Sequence, residues 1–328
     1  MNRICVLPLY RCVLRWSRIA LLPFPKMRMV ILIACAALLV MQAFGGEGQL
    51  TAGKALQAPP MEEGPEGAPL WSFDLVGTYT MGSRIMKAGE FGSQAEYHYE
   101  AEALRNIHLF KKYYLQIGFD HDQFQFSRSN ATLFPYSLTS DAAVIAISYW
   151  AGDEYHPLFR LEPGVYYTRN HITKNSFNIP FRLQGGLKVN DQLHLVLGIE
   201  IDPFASSIAF PIVGFNWEIN DQFNVRAVFP KPRISYLPNK SLELFIGAEL
   251  TGGAYRNGPT RDRRTNNALL DYSDYRACLG TEYDFTNVIS LEANLGWSFQ
   301  RRFNYHRAGP VYNAKGAPYA QLEFKFGF

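Results

Sequence analysis

Residues 193–201 read LHLVLGIEI and alternate between an apolar set (Leu, Leu, Leu, Ile, Ile) and a mixed set (His, Val, Gly, Glu). Successive side chains of a β-strand point to opposite faces, so this segment predicts a strand with one apolar face. The same alternation runs through residues 177–188, 242–250 and 289–300. No stretch of comparable length has a 3.6-residue period, and the sequence therefore predicts an all-β fold.

The connections between the predicted strands alternate between short and long. Tight turns are predicted at Gly152-Asp153, Asn190-Asp191, Asn220-Asp221, Asn239-Lys240 and Thr286-Asn287, because Asn and Asp suit hairpin turns. Longer polar connections separate them. This rhythm predicts fourteen strands, although soft boundaries leave twelve or sixteen open. The predicted strands cover residues 71–81, 94–105, 112–126, 140–151, 156–168, 176–189, 192–201, 209–219, 222–229, 233–238, 241–255, 269–284, 287–302 and 317–328.

The strand lengths favour a membrane barrel over a soluble sandwich. Most predicted strands have about 10–14 residues, which suits a tilted membrane strand better than a soluble one. Their apolar faces carry almost no charge, as lipid contact requires. Aromatic residues near the strand ends predict interfacial girdles: Trp71, Trp150, Tyr166, Tyr167, Trp217, Tyr236, Tyr255, Tyr283, Phe303 and Tyr305. We therefore predict an antiparallel up-and-down transmembrane β-barrel over residues 71–328, with a secreted soluble all-β binding protein as the alternative.

The last predicted strand ends on Phe328, and its apolar face consists of Ala320, Leu322, Phe324, Phe326 and Phe328. This pattern resembles the C-terminal strand of bacterial outer-membrane β-barrel proteins, where a final Phe and alternate apolar residues form the assembly signal. The resemblance implies that Phe324, Phe326 and Phe328 are recognised by the barrel assembly machinery. It also implies an outer-membrane location and contact with outer-membrane lipid. The chain is similar overall to bacterial domains known as predicted outer-membrane barrels.

The first 45 residues predict an export leader. They contain six basic residues and no acidic one, and residues 29–45 form an apolar run after Lys26 and Arg28. This arrangement is typical of a secretory signal peptide, with a functional start at Met27 or Met29. Residues 46–70 are rich in Gly, Pro and Glu and predict a flexible periplasmic segment. Without the leader the chain has 26 basic and 29 acidic residues, which does not indicate nucleic-acid binding.

The sequence contains no recognisable catalytic arrangement. HExxH, GxSxG, CxxC and a Gly-rich phosphate loop are all missing, and Cys278 is the single cysteine outside the leader. We therefore predict a protein that is not an enzyme and binds no metal or cofactor. An outer-membrane enzyme that acts on lipid remains the alternative.

The face opposite the apolar one should line the lumen, and it is predominantly acidic. It carries sixteen acidic and five basic residues, an excess that favours the passage of cations. The acidic candidates are Glu96, Glu100, Glu102, Asp120, Glu200, Glu243, Glu249, Asp274 and Glu292, and the basic ones include Arg160, Arg182, Arg226 and Arg276. We predict a passive pore or uptake channel for small polar or cationic solutes, or a structural barrel with a filled lumen.

One predicted outward loop is basic. It contains Arg256, Arg261, Arg263 and Arg264. Because guanidinium groups bind phosphate in bidentate fashion, contact with lipopolysaccharide is a candidate role, and a merely solvated basic loop is the alternative. The oligomeric state does not follow from the sequence.

Overall fold

A computed structural model describes residues 69–86, 90–110, 112–127, 135–149, 155–169, 171–306 and 309–328. The predicted leader and almost all of the predicted periplasmic segment lie outside these residues. The described chain contains one short 3₁₀ turn, Lys174–Ser176, and is otherwise β-structure with connecting loops. Within these residues no helix is long and apolar enough to cross a membrane.

The strands form one antiparallel sheet in which each strand pairs with its neighbour in the chain. Three strands, β5, β6 and β14, are each built from two consecutive segments. The bounds are β1 Trp71–Met86, β2 Glu90–Phe110, β3 Tyr113–Phe126, β4 Ser137–Tyr149, β5 Tyr155–Leu161 with Gly164–Thr168, β6 Phe177–Asn178 with Phe181–Asn190, β7 Leu193–Ile201, β8 Ala209–Asn220, β9 Phe223–Val228, β10 Arg233–Asn239, β11 Leu242–Arg256, β12 Leu269–Thr286, β13 Ile289–Tyr305 and β14 Val311–Ala314 with Ala317–Gly327.

The sheet closes on itself between its first and last strands. β1 pairs with β14 from Ser72 opposite Gly327 to Thr80 opposite Tyr319. The backbones of Trp71 and Phe328 exchange two hydrogen bonds, of 2.9 and 3.0 Å. Closure pairs the first strand with the last, as a sheet in lipid requires. The predicted all-β, fourteen-stranded, up-and-down barrel is confirmed.

The outer surface of the barrel is apolar. Large hydrophobic side chains on alternate positions are exposed on many strands, among them Leu197, Ile246, Leu279, Leu295 and Leu322. A closed barrel with such a belt is the architecture of transmembrane β-barrels. The apolar sets recognised in the sequence therefore form the outer face, and the polar sets point inward.

Apolar side chains also fill the lumen at the end where the long loops lie. Phe124, Tyr255, Tyr272, Phe303 and Tyr305 are at most 1% exposed and belong to one packed cluster. The cluster draws on β1, β3, β4, β5, β11, β12, β13 and β14 and on the β7–β8 loop. We call this part of the lumen the outer half.

Four residues predicted for the aromatic girdles belong instead to the interior. Tyr166, Tyr255, Phe303 and Tyr305 are buried inside the barrel, and that prediction is wrong for them. For the two residues of β13 the reason is a β-bulge. Tyr275 of β12 pairs with Gln300, but the next residue, Arg276, pairs with Ser298. The extra residue reverses the side-chain alternation, so residues beyond it point to the opposite face.

The wall of the barrel is uneven in height. β9 and β10 have only six and seven residues, and the turn between them ends well below the tops of their neighbours. Beyond this turn the upper part of β11 meets β5, where Arg256 pairs in parallel with Tyr167. β5 and β11 therefore contact each other directly above the ends of the strands that lie between them. The lumen is narrower at this end, where the long loops lie.

Candidate functional site in the barrel lumen

A buried network of ion pairs lies directly beneath the aromatic cluster. Arg276 on β12 donates from Nη2 to Glu96 Oε1 at 2.9 Å and from Nε to Asp274 Oδ2 at 2.6 Å. Arg301 Nη1 approaches Glu96 Oε2 at 3.6 Å, and the Tyr272 hydroxyl donates to the same carboxylate. All these side chains are inaccessible or nearly so. We call this set the Glu96 network, and it ties β2 to β12 and β13 across the lumen.

Further ion pairs line the wall at other positions. Arg160 on β5 binds Glu102 and, at 2.6 Å, Glu162; Arg182 on β6 binds Glu200 at 2.6 Å. Four of the nine acidic candidates named from the sequence, Glu96, Glu102, Glu200 and Asp274, therefore line the lumen as partners of arginine.

A larger set joins β10 through β14. Arg233 approaches Glu243, Glu282 and Glu292 at 3.2, 3.4 and 3.1 Å. Lys325 binds Glu323 at 3.1 Å and Glu282 at 3.3 Å. On the turn between β9 and β10, Lys231 binds Glu249 at 2.7 Å.

The structure changes the charge balance expected for the lumen. Lys231, Arg233 and Arg301 face inward in addition to the five bases predicted from the sequence. Glu218 and Asp284 are exposed beside the short turns. Three more basic side chains therefore line the lumen than the sequence predicts. The excess of acidic charge is smaller than the sequence suggests, but its sign is unchanged.

The mid-barrel contains a cavity of about 70 Å³. Its lining includes Arg182, Arg226, Lys231 and Arg233 together with Glu249, Glu292 and Glu323. Arg226 is the cross-strand partner of Arg233. Cys278 also lines the cavity, which makes it a natural position for a chemical probe of access.

The acidic side chains concentrate on the wall formed by β1, β2 and β3. In register, Asp74 pairs with Glu102, Glu100 with Asp122, and Glu102 with Asp120. Carboxylates directly opposite each other on neighbouring strands repel. Neighbouring side chains reduce this repulsion: Arg160 binds Glu102, and His98 Nε2 lies 2.7 Å from Asp122 Oδ1. We call Asp74, Glu100, Glu102, Asp120 and Asp122 the acidic wall.

Two of the four arginines predicted for the basic outer loop bind other groups of the same chain. Arg256 donates to the backbone oxygens of Asn175 and Asn267, and its guanidinium lies 5.0 Å from the Phe204 ring centroid. Arg264 forms an exposed ion pair with Asp262 at 3.0 Å. Arg261 and Arg263 are exposed.

The C-terminal aromatic residues lie at the seam between β14 and β1. Phe326 stacks on Phe73 with ring centroids 4.7 Å apart, and Phe328 lies 6.0 Å from Phe73. The Phe328 side chain is 68% exposed and Phe324 is 37% exposed, both on the outer surface.

The closed barrel, its apolar belt and its charged interior define a protein with the fold of outer-membrane β-barrels. The chain belongs to the family described as Domain of unknown function (DUF6268), whose model matches residues 108–325. No curated protein shows significant sequence similarity to it.

Several solved structures are similar to this chain. The COG4313 outer membrane channel from Pseudomonas putida F1 has 12% identity and a TM-score of 0.47, over 85% of this chain and all of that one. The Pseudomonas putida toluene transporter TodX has 9% identity and a TM-score of 0.40, over 85% and 96% of the two chains. The NanC porin has 9% identity and a TM-score of 0.37, over 78% of this chain and all of that one.

Proposed function

We propose that this protein is an outer-membrane channel for small polar solutes that favours cations, and that it acts without catalysis. The acidic wall is the observation that carries the proposal. Its five carboxylates form three pairs in direct register, and a passing cation reduces their mutual repulsion. A barrel of fourteen strands also has a wider interior than a barrel of eight strands, whose lumen the inward-facing side chains can just fill.

The packed outer half indicates that the described conformation is a closed state. The β7–β8 loop contributes to the closure. His306 Nε2 lies 3.0 Å from the Phe204 carbonyl oxygen, and the Ser206 amide donates to Asp271 at 3.2 Å. These contacts hold the loop against β12 and the β13–β14 connection. Passage through the lumen then requires the loop and the aromatic cluster to move, so we expect low basal conductance with opening events.

The exposed Arg261, Arg263 and Arg264 support a second element of the proposal, which is contact with lipopolysaccharide phosphates at the outer surface. The terminal strand supports recognition by the barrel assembly machinery, because its outward aromatic residues lie at the closing seam. A structural barrel with a filled lumen is the competing function, and the packed outer half favours it.

Single-channel recording in planar bilayers distinguishes these functions. The refolded barrel is measured in a salt gradient, and the reversal potential gives the cation-to-anion preference. We expect a cation preference that falls in the triple variant Asp74→Asn, Glu100→Gln and Asp122→Asn. Asp221→Asn is the matched control, because Asp221 is exposed in the short turn between β8 and β9. An anion preference, or an unchanged reversal potential in the triple variant, would refute the role of the acidic wall. Complete silence would favour the structural barrel.

A further inference from the structure

Three side chains of the acidic wall and its neighbourhood form a compact cluster of metal-ligand type. Ligand atoms of His98, Glu100 and Asp122 all lie within 4.8 Å of one another. His98 and Glu100 are two residues apart on β2 and so share one face, while Asp122 on β3 is the register partner of Glu100. The pairing of two neighbouring strands therefore builds the cluster.

The imidazole at this position is rigidly held. The ring of His98 stacks on Phe124 with centroids 4.1 Å apart and planes 2° from parallel. His98 and Asp122 are each 4% exposed. Both side chains are thus oriented before any ligand arrives, which lowers the entropic cost of binding.

One ring nitrogen of His98 is buried without a hydrogen-bond partner. Nε2 of His98 faces Asp122, whereas Nδ1 is buried and has no hydrogen-bond partner. One oxygen of Asp74, which lies on the same wall, is also buried without a partner. Buried polar atoms are normally satisfied, and leaving one unpaired costs about 1–3 kcal/mol. The wall thus contains buried polar atoms that a bound ion's water ligands can satisfy.

The donor set selects the kind of ligand. One imidazole nitrogen and two carboxylate oxygens suit first-row divalent ions such as Zn²⁺, Co²⁺ and Mn²⁺. Ca²⁺ prefers six to eight oxygen ligands, which this set does not offer. Zinc–nitrogen and zinc–oxygen bonds are about 2.0–2.2 Å long, so ligand atoms within 4.8 Å of one another are close enough for one ion to approach all three.

We propose that His98, Glu100 and Asp122 bind a divalent transition-metal ion in the lumen. This inference deepens the proposed function, because it names a class of cation that the acidic wall holds. Three protein ligands leave coordination positions for water, as an exchangeable site requires. Lys231 interacts with Glu100 electrostatically, but its ammonium is paired with Glu249 at 2.7 Å.

Isothermal titration of the refolded, untagged barrel with ZnCl₂ tests the site. We expect saturable binding of one ion, and Co²⁺ should give visible d–d bands when it occupies the same site. His98→Ala and Asp122→Asn should each weaken binding by more than the roughly 10–100-fold typical of outer-shell partners.

His121→Ala is the matched control, because His121 forms the same kind of pair, 2.7 Å from Asp141, on the opposite face of β3. Its binding isotherm should be that of the wild type. The proposal is overturned if no saturable binding occurs, or if His121→Ala and His98→Ala lose affinity equally. Heat-modifiable mobility in gels confirms that each variant has formed a barrel. If the wild type binds no Zn²⁺ but keeps its cation preference in bilayers, the metal site is refuted and the proposed channel function stands.

Discussion

Replacing Arg276 with methionine tests whether the Glu96 network holds the lumen closed. In the folded barrel Arg276 is 2% exposed and binds two carboxylates, at 2.9 Å and 2.6 Å. Without it, Glu96 keeps the Tyr272 hydroxyl and the more distant Arg301, and Asp274 keeps the Ser298 hydroxyl at 2.6 Å. Two buried carboxylates then share one arginine, which lies nearer to Glu96.

The size of the effect follows from this loss. Removing one partner of a buried ion pair costs about 3–5 kcal/mol, because an uncompensated charge stays in a poorly solvated site. We expect Arg276→Met to lower the free energy of unfolding by about this amount. We also expect more frequent opening events in bilayers, since the same network ties β2 to β12 beneath the aromatic cluster.

Equilibrium unfolding in urea, with the barrel in lipid vesicles and tryptophan fluorescence as the signal, measures the loss. The double variant Asp274→Asn with Arg276→Met leaves the Glu96 carboxylate paired with Arg301, so no buried charge is stranded and most of the stability should be recovered. Arg264→Ala, which breaks an exposed ion pair, should leave the unfolding midpoint unchanged. A loss below about 1 kcal/mol in Arg276→Met would show that water screens these charges and that the outer half is not packed shut.

Three further predictions concern the seam, the β7–β8 loop and the cavity. Deleting Phe328 removes two backbone hydrogen bonds to Trp71 and the terminal aromatic side chain. The yield of assembled barrel in cells should fall. The barrel refolded in vitro should lose no more than about 2 kcal/mol of unfolding free energy. Burial raises the pKa of Asp202 to about 6, which hydrogen bonds from Asn178 and the Phe204 amide only partly oppose. Its protonated form is therefore favoured in the fold, so this contribution to stability is complete below the unfolded pKa near 3.8 and is lost as the pH rises through 6. Relative to Asp202→Asn, the wild type should lose about 3 kcal/mol between pH 3 and pH 8, and parallel unfolding curves for the two proteins would contradict this. In a chain without the leader, Cys278 should react faster with a small neutral methanethiosulfonate reagent in Arg276→Met than in the wild type, and equal rates would argue against closure by the Glu96 network.

The architecture could be predicted because apolar and polar residues alternate along each strand. This alternation shows which side chains face outward and which face the lumen. The apolar sets of residues 193–201 and 289–299 lie on the outer face, and the Asn-Asp turns at 190–191 and 220–221 join consecutive strands. The lumen was less predictable, because side-chain alternation fails wherever a strand contains an extra residue. The bulge in β13 turns Arg301 inward, a placement that no local feature of the sequence signals.

Charge pairing depends on contacts that the sequence does not reveal. Lys231 and Arg233 belong to a short hairpin whose strands carry too few residues for a clear alternation, yet both reach the mid-barrel cavity. The alignment of His98 and Glu100 on one face was visible from their spacing. Their third partner, Asp122, was not, since its position depends on the register between β2 and β3.

The closed outer half and the acidic wall are mechanically linked through β2. Glu96, His98, Glu100 and Glu102 follow one another on the inward face of this strand at intervals of about 6.6 Å. Glu96 anchors the network that crosses the lumen to Arg276, whereas the next two side chains belong to the proposed metal site. An ion bound by His98 and Glu100 places positive charge one step below Glu96, where it competes with Arg276 for the same carboxylate. Occupancy of the site should therefore weaken the Glu96–Arg276 pair and favour opening. If this coupling operates, Zn²⁺ should raise the opening frequency of the wild type and leave His98→Ala unaffected.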